Sequence, residues 1–262
     1  MNSRDAAGNG LLHGRLVVVT GGRDGIGRSI VLECARAGAD VAIVTSGPVS
    51  NAAAVVDEAS AFGGRAAAFQ ADVTRGAEVE ALFAEIASAL GPLDILVNNA
   101  GGFSGGPLET LAEDAWDRVF ALNAKSTFLC SAAACRAMEG KGGAIVNIAG
   151  ASGHRTFPRG GAYGPAKAAV LALTRQMALE WAEKGIRVNC VSPGPIREPD
   201  TDWQSREPAL AREVQRLPLR RAGTSREVAQ AVVYLASEQA AYITGHALPV
   251  DGGGVHTWYL WE

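Results

Sequence analysis

The chain has 262 residues, of which 48% are hydrophobic and 19% charged, and a formal net charge of −3. That length and composition suit one α/β domain with a sizeable core. The charge argues against nucleic-acid binding or electrostatic attachment to a membrane surface, and no window approaches 18 uninterrupted apolar residues, so a membrane span is not expected.

In chain order, residues 1–12 read as a flexible leader: Met1 to Gly10 is polar and lacks the apolar core of a secretory signal. Leu16 to Thr20 is a short apolar run rich in β-branched residues, the mark of a strand buried on both faces. It feeds Gly21-Gly22-Arg23-Asp24-Gly25-Ile26-Gly27, and a helical pattern from Ile30 to Ala37 follows, closed by Gly38. Strand, glycine loop and helix together bring backbone N–H groups and a helix N-terminus up to a pyrophosphate. The spacing here is G-x-x-x-G-x-G rather than G-x-G-x-x-G.

Val41 to Val44 is a second strand, ending in Thr45-Ser46-Gly47. Dinucleotide folds that select NAD usually place an acidic residue at this point to hold the ribose 2′-hydroxyl. Two hydroxyls stand here instead, with Arg23 within reach, which leaves room for a 2′-phosphate. The reading leans to NADP(H) over NAD(H), tempered by the repulsive charge of Asp24.

Next come a helix over about Asn51 to Phe62, a strand from Arg65 to Gln70, Asp72-Val73, a helix over about Ala77 to Leu90, and a strand from Asp94 to Val97. Small residues at Asn98-Asn99-Ala100-Gly101-Gly102 let a ligand approach the backbone. A long helix is expected over about Ala112 to Met138 with Asn123 at its middle, where a buried amide needs partners. Ala144 to Ile148 is a fifth strand, followed by Gly150-Ala151-Ser152-Gly153. The sixth runs from Arg187 to Val191 and leads to Pro193-Gly194. Residues 197–219 are polar and charge-rich, with a short helical pattern near Pro208 to Val214, and suit a substrate loop. A helix from Arg226 to Ala236 and a strand from Ala247 to Val250 complete the pattern. In the tail, residues 255–262, Trp258, Tyr259 and Trp261 are expected to pack against something, such as a neighbouring subunit. Strands alternating with helices through short loops predict a parallel sheet covered on both sides.

Cys34, Cys130, Cys135 and Cys190 sit in predicted helices or strands without a C-x-x-C pair. They read as buried reduced thiols of a cytoplasmic protein rather than a metal or disulfide framework. The four histidines are scattered, and no metal site is expected.

Tyr163 and Lys167 carry the chemistry. Four residues apart on a helix, they share one face. A phenol with an ordinary pKa of about 10 is a poor acid–base catalyst near neutrality, and a nearby cation draws that value down. Tyr-x-x-x-Lys alone is commonly incidental; paired with the glycine loop, it supplies a proton donor beside a nucleotide cradle.

These residues, over about His13 to Gly254, resemble the short-chain dehydrogenase/reductase family in its short single-domain branch. The motifs are Thr20 to Gly27, Asp72-Val73, Asn98 to Gly101, Asn123, Tyr163-x-x-x-Lys167, Pro193-Gly194 and the closing Gly245 to Gly253. The resemblance implies a single Rossmann-like, doubly wound domain with seven parallel strands in the order 3-2-1-4-5-6-7. It implies Tyr163 as general acid and base, Lys167 on the nicotinamide ribose, and Asn123 anchoring a water. Asn99, Ala100 and Gly101 would line the adenosine side, Asp72 and Val73 the adenine, and Pro193, Gly194 and Ile196 the nicotinamide. A homo-oligomer, tetramer or dimer, would form on the Ala112–Met138 and Tyr163–Glu183 helices.

Two positions depart from the family. The serine expected thirteen residues before the tyrosine is Gly150, with Ser152 two residues later as its candidate substitute toward substrate. A threonine that often follows Pro-Gly is Glu198. The expected activity is interconversion of a carbonyl and an alcohol with NADP(H). The alternatives are elimination, dehydration or isomerisation on the same scaffold, or a weakly active cofactor-binding protein.

Overall fold

A computed structural model describes residues 10–257. Seven parallel strands form one sheet in the order β3-β2-β1-β4-β5-β6-β7, as the resemblance implies. They are β1 (Leu16–Thr20), β2 (Asp40–Thr45), β3 (Ala66–Gln70), β4 (Ile95–Asn98), β5 (Gly143–Ile148), β6 (Ile186–Pro193) and β7 (Ala247–Val250). Alternate residues of each strand serve two cores, because successive side chains leave a sheet on opposite faces. Val17 and Val19 pack with α1 (Gly25–Arg36) and α9 (Ser225–Ala236). Leu16 and Val18 face α3 (Gly76–Leu90), α5 (Ser126–Ala137) and α6 (Tyr163–Trp181). The chain reverses its winding between β1 and β4, which opens a crevice at their carboxyl ends.

Several boundaries differ from the sequence reading. Leu12 is 1% exposed and its amide donates to Ala37 O at 2.9 Å, so it belongs to the folded body rather than to a leader. Residues 1–9 and the aromatic tail at Trp258, Tyr259 and Trp261 lie outside the described residues. Helix α1 starts at Gly25, five residues before the predicted Ile30, because the loop glycines are wound into its first turn. The predicted Ala112–Met138 helix is three pieces: α4 (Glu113–Phe120), a π-helical turn (Ala121–Lys125) and α5. Residues 197–219 hold two helices, α7 (Trp203–Arg206) and α8 (Pro208–Gln215). The remaining helix, α2 (Ala53–Ser60), covers β2 and β3.

Among the described residues no helix is long and apolar enough to cross a membrane, and no group of His, Cys, Asp or Glu could hold a metal ion. The four cysteines are free and buried. Burial pushes the thiols of Cys34 and Cys130 up to about 12 and that of Cys190 up to about 11.

Candidate active site

A cleft of about 1000 Å³ lies along the carboxyl ends of the strands. One end is the glycine loop. Gly21 and Gly25 have positive φ of 65° and 52°, where a side chain is strained. A Cβ on Gly27 would stand 2.0 Å from Gly21 O, so only glycine lets the first turn of α1 press against the loop. A Cβ on Gly25 would meet nothing within 4 Å; it would project into the space that the helix N-terminus opens onto. That cradle of open amides at a positive helix end fits a diphosphate.

Asn99 braces the loop. Its Nδ2 donates to Thr20 O at 3.1 Å and to Gly21 O at 2.9 Å. The Thr20 hydroxyl in turn accepts from the amides of Asn99 and Ala100, both at 3.0 Å. The carboxyl ends of β1 and β4 are thereby locked together, and the backbone of Ala100 and Gly101 is held along the cleft wall.

Beyond the glycine loop the cleft is lined by Thr45, Ser46, Asp72 and Val73. Hydrogen bonds from the Thr74 hydroxyl and amide hold the Asp72 carboxyl below its ordinary range. Arg23 is not a free cation: its guanidinium makes a forked contact with Asp24, at 3.0 and 2.7 Å. The pair is exposed, so the contact is weak and open to competition by a phosphate.

At the other end stand Tyr163 and Lys167 on the first turns of α6. Lys167 is 4% exposed, and its Nζ donates to Ile148 O at 3.0 Å and lies 5.6 Å from the Tyr163 ring centroid. Burial brings the lysine down to about 8 and pushes the Tyr163 phenol above its ordinary value. The expected lowering of the phenol by its neighbour is therefore not seen in the chain alone. The ammonium is spent on a carbonyl and flanks the ring, while the tyrosine loses water.

Asn123 is 1% exposed and lies behind the cleft wall rather than in it. It sits in the π-turn, a local widening that leaves backbone groups without their usual partners. Its Nδ2 donates to Val119 O and Gly102 O, both at 3.0 Å, and its Oδ1 accepts from the Gly102 amide at 3.2 Å. The amide satisfies the turn and ties it to the Gly101-Gly102 strand end. A Cβ on Gly101 would fall 2.8 Å from Asn123 Oδ1 and 3.2 Å from Lys167 Nζ, so glycine keeps open the slot between them.

Gly150 occupies the place beside the phenol. A Cβ there would stand 3.8 Å from the Tyr163 hydroxyl and 3.2 Å from Ser152 Oγ. Ser152 does not line the cleft, and its hydroxyl is buried without a hydrogen-bond partner among the described residues. The Ser152 hydroxyl thus stands next to the Gly150 position, outside the cleft lining. Glu198 also stays out of the cleft; its carboxylate accepts from the Ser225 amide at 3.1 Å, at the start of α9. Pro193, Gly194 and Ile196 line the floor between the two ends.

The sequence reading missed Phe103, Leu122, Phe157, Leu210 and Glu213, which line the cleft, Phe103 beside Tyr163 and Phe157 beside Phe103. The two phenylalanines carried a signal, since each lies in a glycine-flanked loop, Gly101 to Gly106 and Phe157 to Gly161.

Comparison with known proteins agrees with this geometry. The family described as enoyl-(acyl carrier protein) reductase matches residues 21–255. Over 250 residues the chain is 38% identical to 2-(S)-hydroxypropyl-CoM dehydrogenase 3 of Xanthobacter autotrophicus, covering 92% of this chain and 97% of that protein. It is 40% identical over 237 residues to the 3-oxoacyl-(acyl-carrier-protein) reductase FabG of Staphylococcus aureus, covering 90% and 96%. A short-chain dehydrogenase/reductase from Serratia marcescens superposes with a TM-score of 0.86 at 37% identity, over 92% of this chain and 98% of that one.

Proposed function

The chain belongs to the short-chain dehydrogenase/reductase family and is an oxidoreductase of a nicotinamide cofactor, and on that footing we propose that it interconverts a carbonyl and an alcohol with NADP(H), Tyr163 moving the proton. The observation that carries this reading is that Tyr163 and Lys167 line the same cleft as the glycine loop. A bound nicotinamide supplies or accepts the hydride. The chain's own residues bind and orient: the loop amides of Gly21 to Gly27 hold diphosphate, and Asp72 and Val73 flank adenine. Pro193, Gly194 and Ile196 bound the nicotinamide end. In reduction the Tyr163 hydroxyl donates to the nascent alkoxide; in oxidation it takes the alcohol proton. Lys167, largely protonated below about 8, binds the ribose, and the slot beside Gly101 holds the water that links it through Asn123.

The NADP(H) preference rests on Thr45 and Ser46 where an acid would select NAD, and on Arg23, which can exchange Asp24 for a 2′-phosphate. The chain acts as a cytoplasmic homo-oligomer, dimer or tetramer, through α4–α5 and α6. Phe128 and Leu179 on those helices are 49% and 78% exposed, apolar surface that a partner copy would cover.

Absorbance at 340 nm, followed with NADPH and a panel of ketones, tests the reaction. Oxidation of NADPH that depends on the ketone and is lost in Tyr163→Phe supports it. A second reading, elimination, dehydration or isomerisation with Tyr163 as acid or base, is favoured by Gly150, which leaves no hydroxyl beside the phenol. Tight NADPH binding with unchanged absorbance across the panel would decide for it.

A further inference from the structure

The tyrosine end of the cleft carries an aromatic wall. Phe103 lies 5.3 Å from Tyr163 between ring centroids, with planes at 82°, and 6.2 Å from Phe157. Large apolar side chains normally turn inward, yet Phe103 and Phe157 are 63% and 46% exposed, and both face the cleft. Their placement is built. The two loops are zipped where the Gly106 amide donates to Arg159 O at 2.8 Å. Gly105 backs the first ring, since a Cβ there would stand 2.5 Å from the Phe103 ring. Gly160 backs the second, its Cβ position lying 3.2 Å from the Phe157 ring. Both rings are thus supported from behind by backbone and bare in front. Gly150, with no side chain, widens the space beside the phenol.

Charge along the cleft points the same way. Arg197 is fully engaged: its guanidinium grips Glu207 at 2.9 and 2.5 Å and donates to Ile196 O at 2.7 Å. Glu213 also lines the cleft and has no ion-pair partner among the described residues. Arg155 is tied to Gly254 O and the Thr257 hydroxyl, away from the cleft. Among the described residues that line the cleft the cations are Lys167, which is buried, and Arg23 and Arg197, which are paired with Asp24 and Glu207. An anionic substrate arm would meet the Glu213 carboxylate with no unpaired cation in the lining beyond buried Lys167.

We propose that the substrate is a neutral aryl ketone, or its benzylic-type alcohol, whose ring stacks on Phe103 and Phe157 while its oxygen meets the Tyr163 hydroxyl. The assignment rests on the carbonyl–alcohol reading above. It sets this chain apart from relatives named for a CoM conjugate or an acyl carrier protein.

The test compares acetophenone, 4-acetylbenzoate and 2-butanone with NADPH, in the parent and in Phe103→Leu and Phe157→Leu. These substitutions keep apolar bulk and remove the ring. Acetophenone is expected to exceed both others in kcat/KM by at least about tenfold. Each variant is expected to lower the acetophenone to 2-butanone ratio about three- to tenfold, mostly through KM, the scale of one aromatic pair. An unchanged ratio in both variants, or a preference for 4-acetylbenzoate, would overturn the proposal while leaving the redox reading intact. Calorimetric titration of 1-phenylethanol into the NADP⁺-loaded protein separates the remaining case. Binding that weakens in the leucine variants without any turnover would keep the aromatic site and sink the redox reading; no binding and no turnover would sink both.

Discussion

Lys167 should cost the folded chain stability at neutral pH, and Lys167→Met isolates that cost. Its pKa falls from an ordinary 10.5 to about 8, through burial first and against the opposing influence of Cys190. The lowered value means that the protonated form is disfavoured in the fold, so the penalty is complete below about pH 8 and fades as pH rises toward 10.5. Between those values the unfolded chain binds the extra proton, and stability rises with pH. At about 1.4 kcal/mol per pKa unit, the parent should gain roughly 2.5 kcal/mol between pH 7 and pH 10 from this group alone. Urea unfolding of both proteins at the two pH values, without cofactor, measures it. The difference in unfolding free energy, parent minus variant, is expected to rise by about 2.5 kcal/mol. Groups common to both chains cancel in that difference, as does the pH-independent loss of the bond to Ile148 O. A difference that stays flat within about 0.5 kcal/mol would show that Lys167 is solvated and that its burial has been misjudged.

Other perturbations follow from the same geometry. Gly150→Ser should raise kcat/KM on simple ketones by at least about tenfold, since one donor at a developing oxyanion is commonly worth more. The backbone there, at φ 165°, is extended and accepts any residue, and only Ser152 Oγ at 3.2 Å must give way; no gain in the steady-state assay would mean the site uses another donor. Asn123→Ala strips partners from the buried Val119 carbonyl and from the half-buried carbonyl and amide of Gly102, so chemical denaturation should register a loss of about 2–4 kcal/mol. Leu179→Arg should shift the mass seen by light scattering toward the monomer if α6 forms the subunit interface.

The sheet was legible because its strands are buried on both faces: Leu16 to Thr20 shows continuous apolar character, and so does Val41 to Val44. The nucleotide end was legible for a different reason, since close backbone approach demands glycine and leaves it at fixed spacing. Helix starts were not, because Gly25 and Gly27 read as loop residues while the fold winds them into α1. The π-turn at Asn123 left no mark in the apolar periodicity; its only sign was a polar residue in mid-helix. Ion pairing was the least legible, since it depends on contacts distant in sequence. Arg155 is consumed by a turn about a hundred residues on. Phe103 and Phe157 were overlooked because aromatic residues in loops usually signal packing. Their role emerges only when the fold turns both rings toward Tyr163.

The tyrosine and lysine shifts together favour one direction of reaction. Burial holds the phenol in its protonated form and leaves the lysine close to giving up its proton. A protonated phenol is the acid that carbonyl reduction needs, whereas alcohol oxidation must begin from a phenolate that this environment disfavours. Reduction should therefore be near its maximum from pH 6 to about 8 and decline as Lys167 deprotonates above that value. Oxidation should climb with pH as phenolate becomes available, even as the ammonium that would stabilise it is lost. The pH profile of kcat/KM for one ketone, measured over pH 6 to 10 at saturating NADPH, should be level to about 8 and fall above it. A profile level to pH 10 would show that the Tyr163–Lys167 pair does not supply the proton, and the assignment of Tyr163 as the proton carrier would have to be given up.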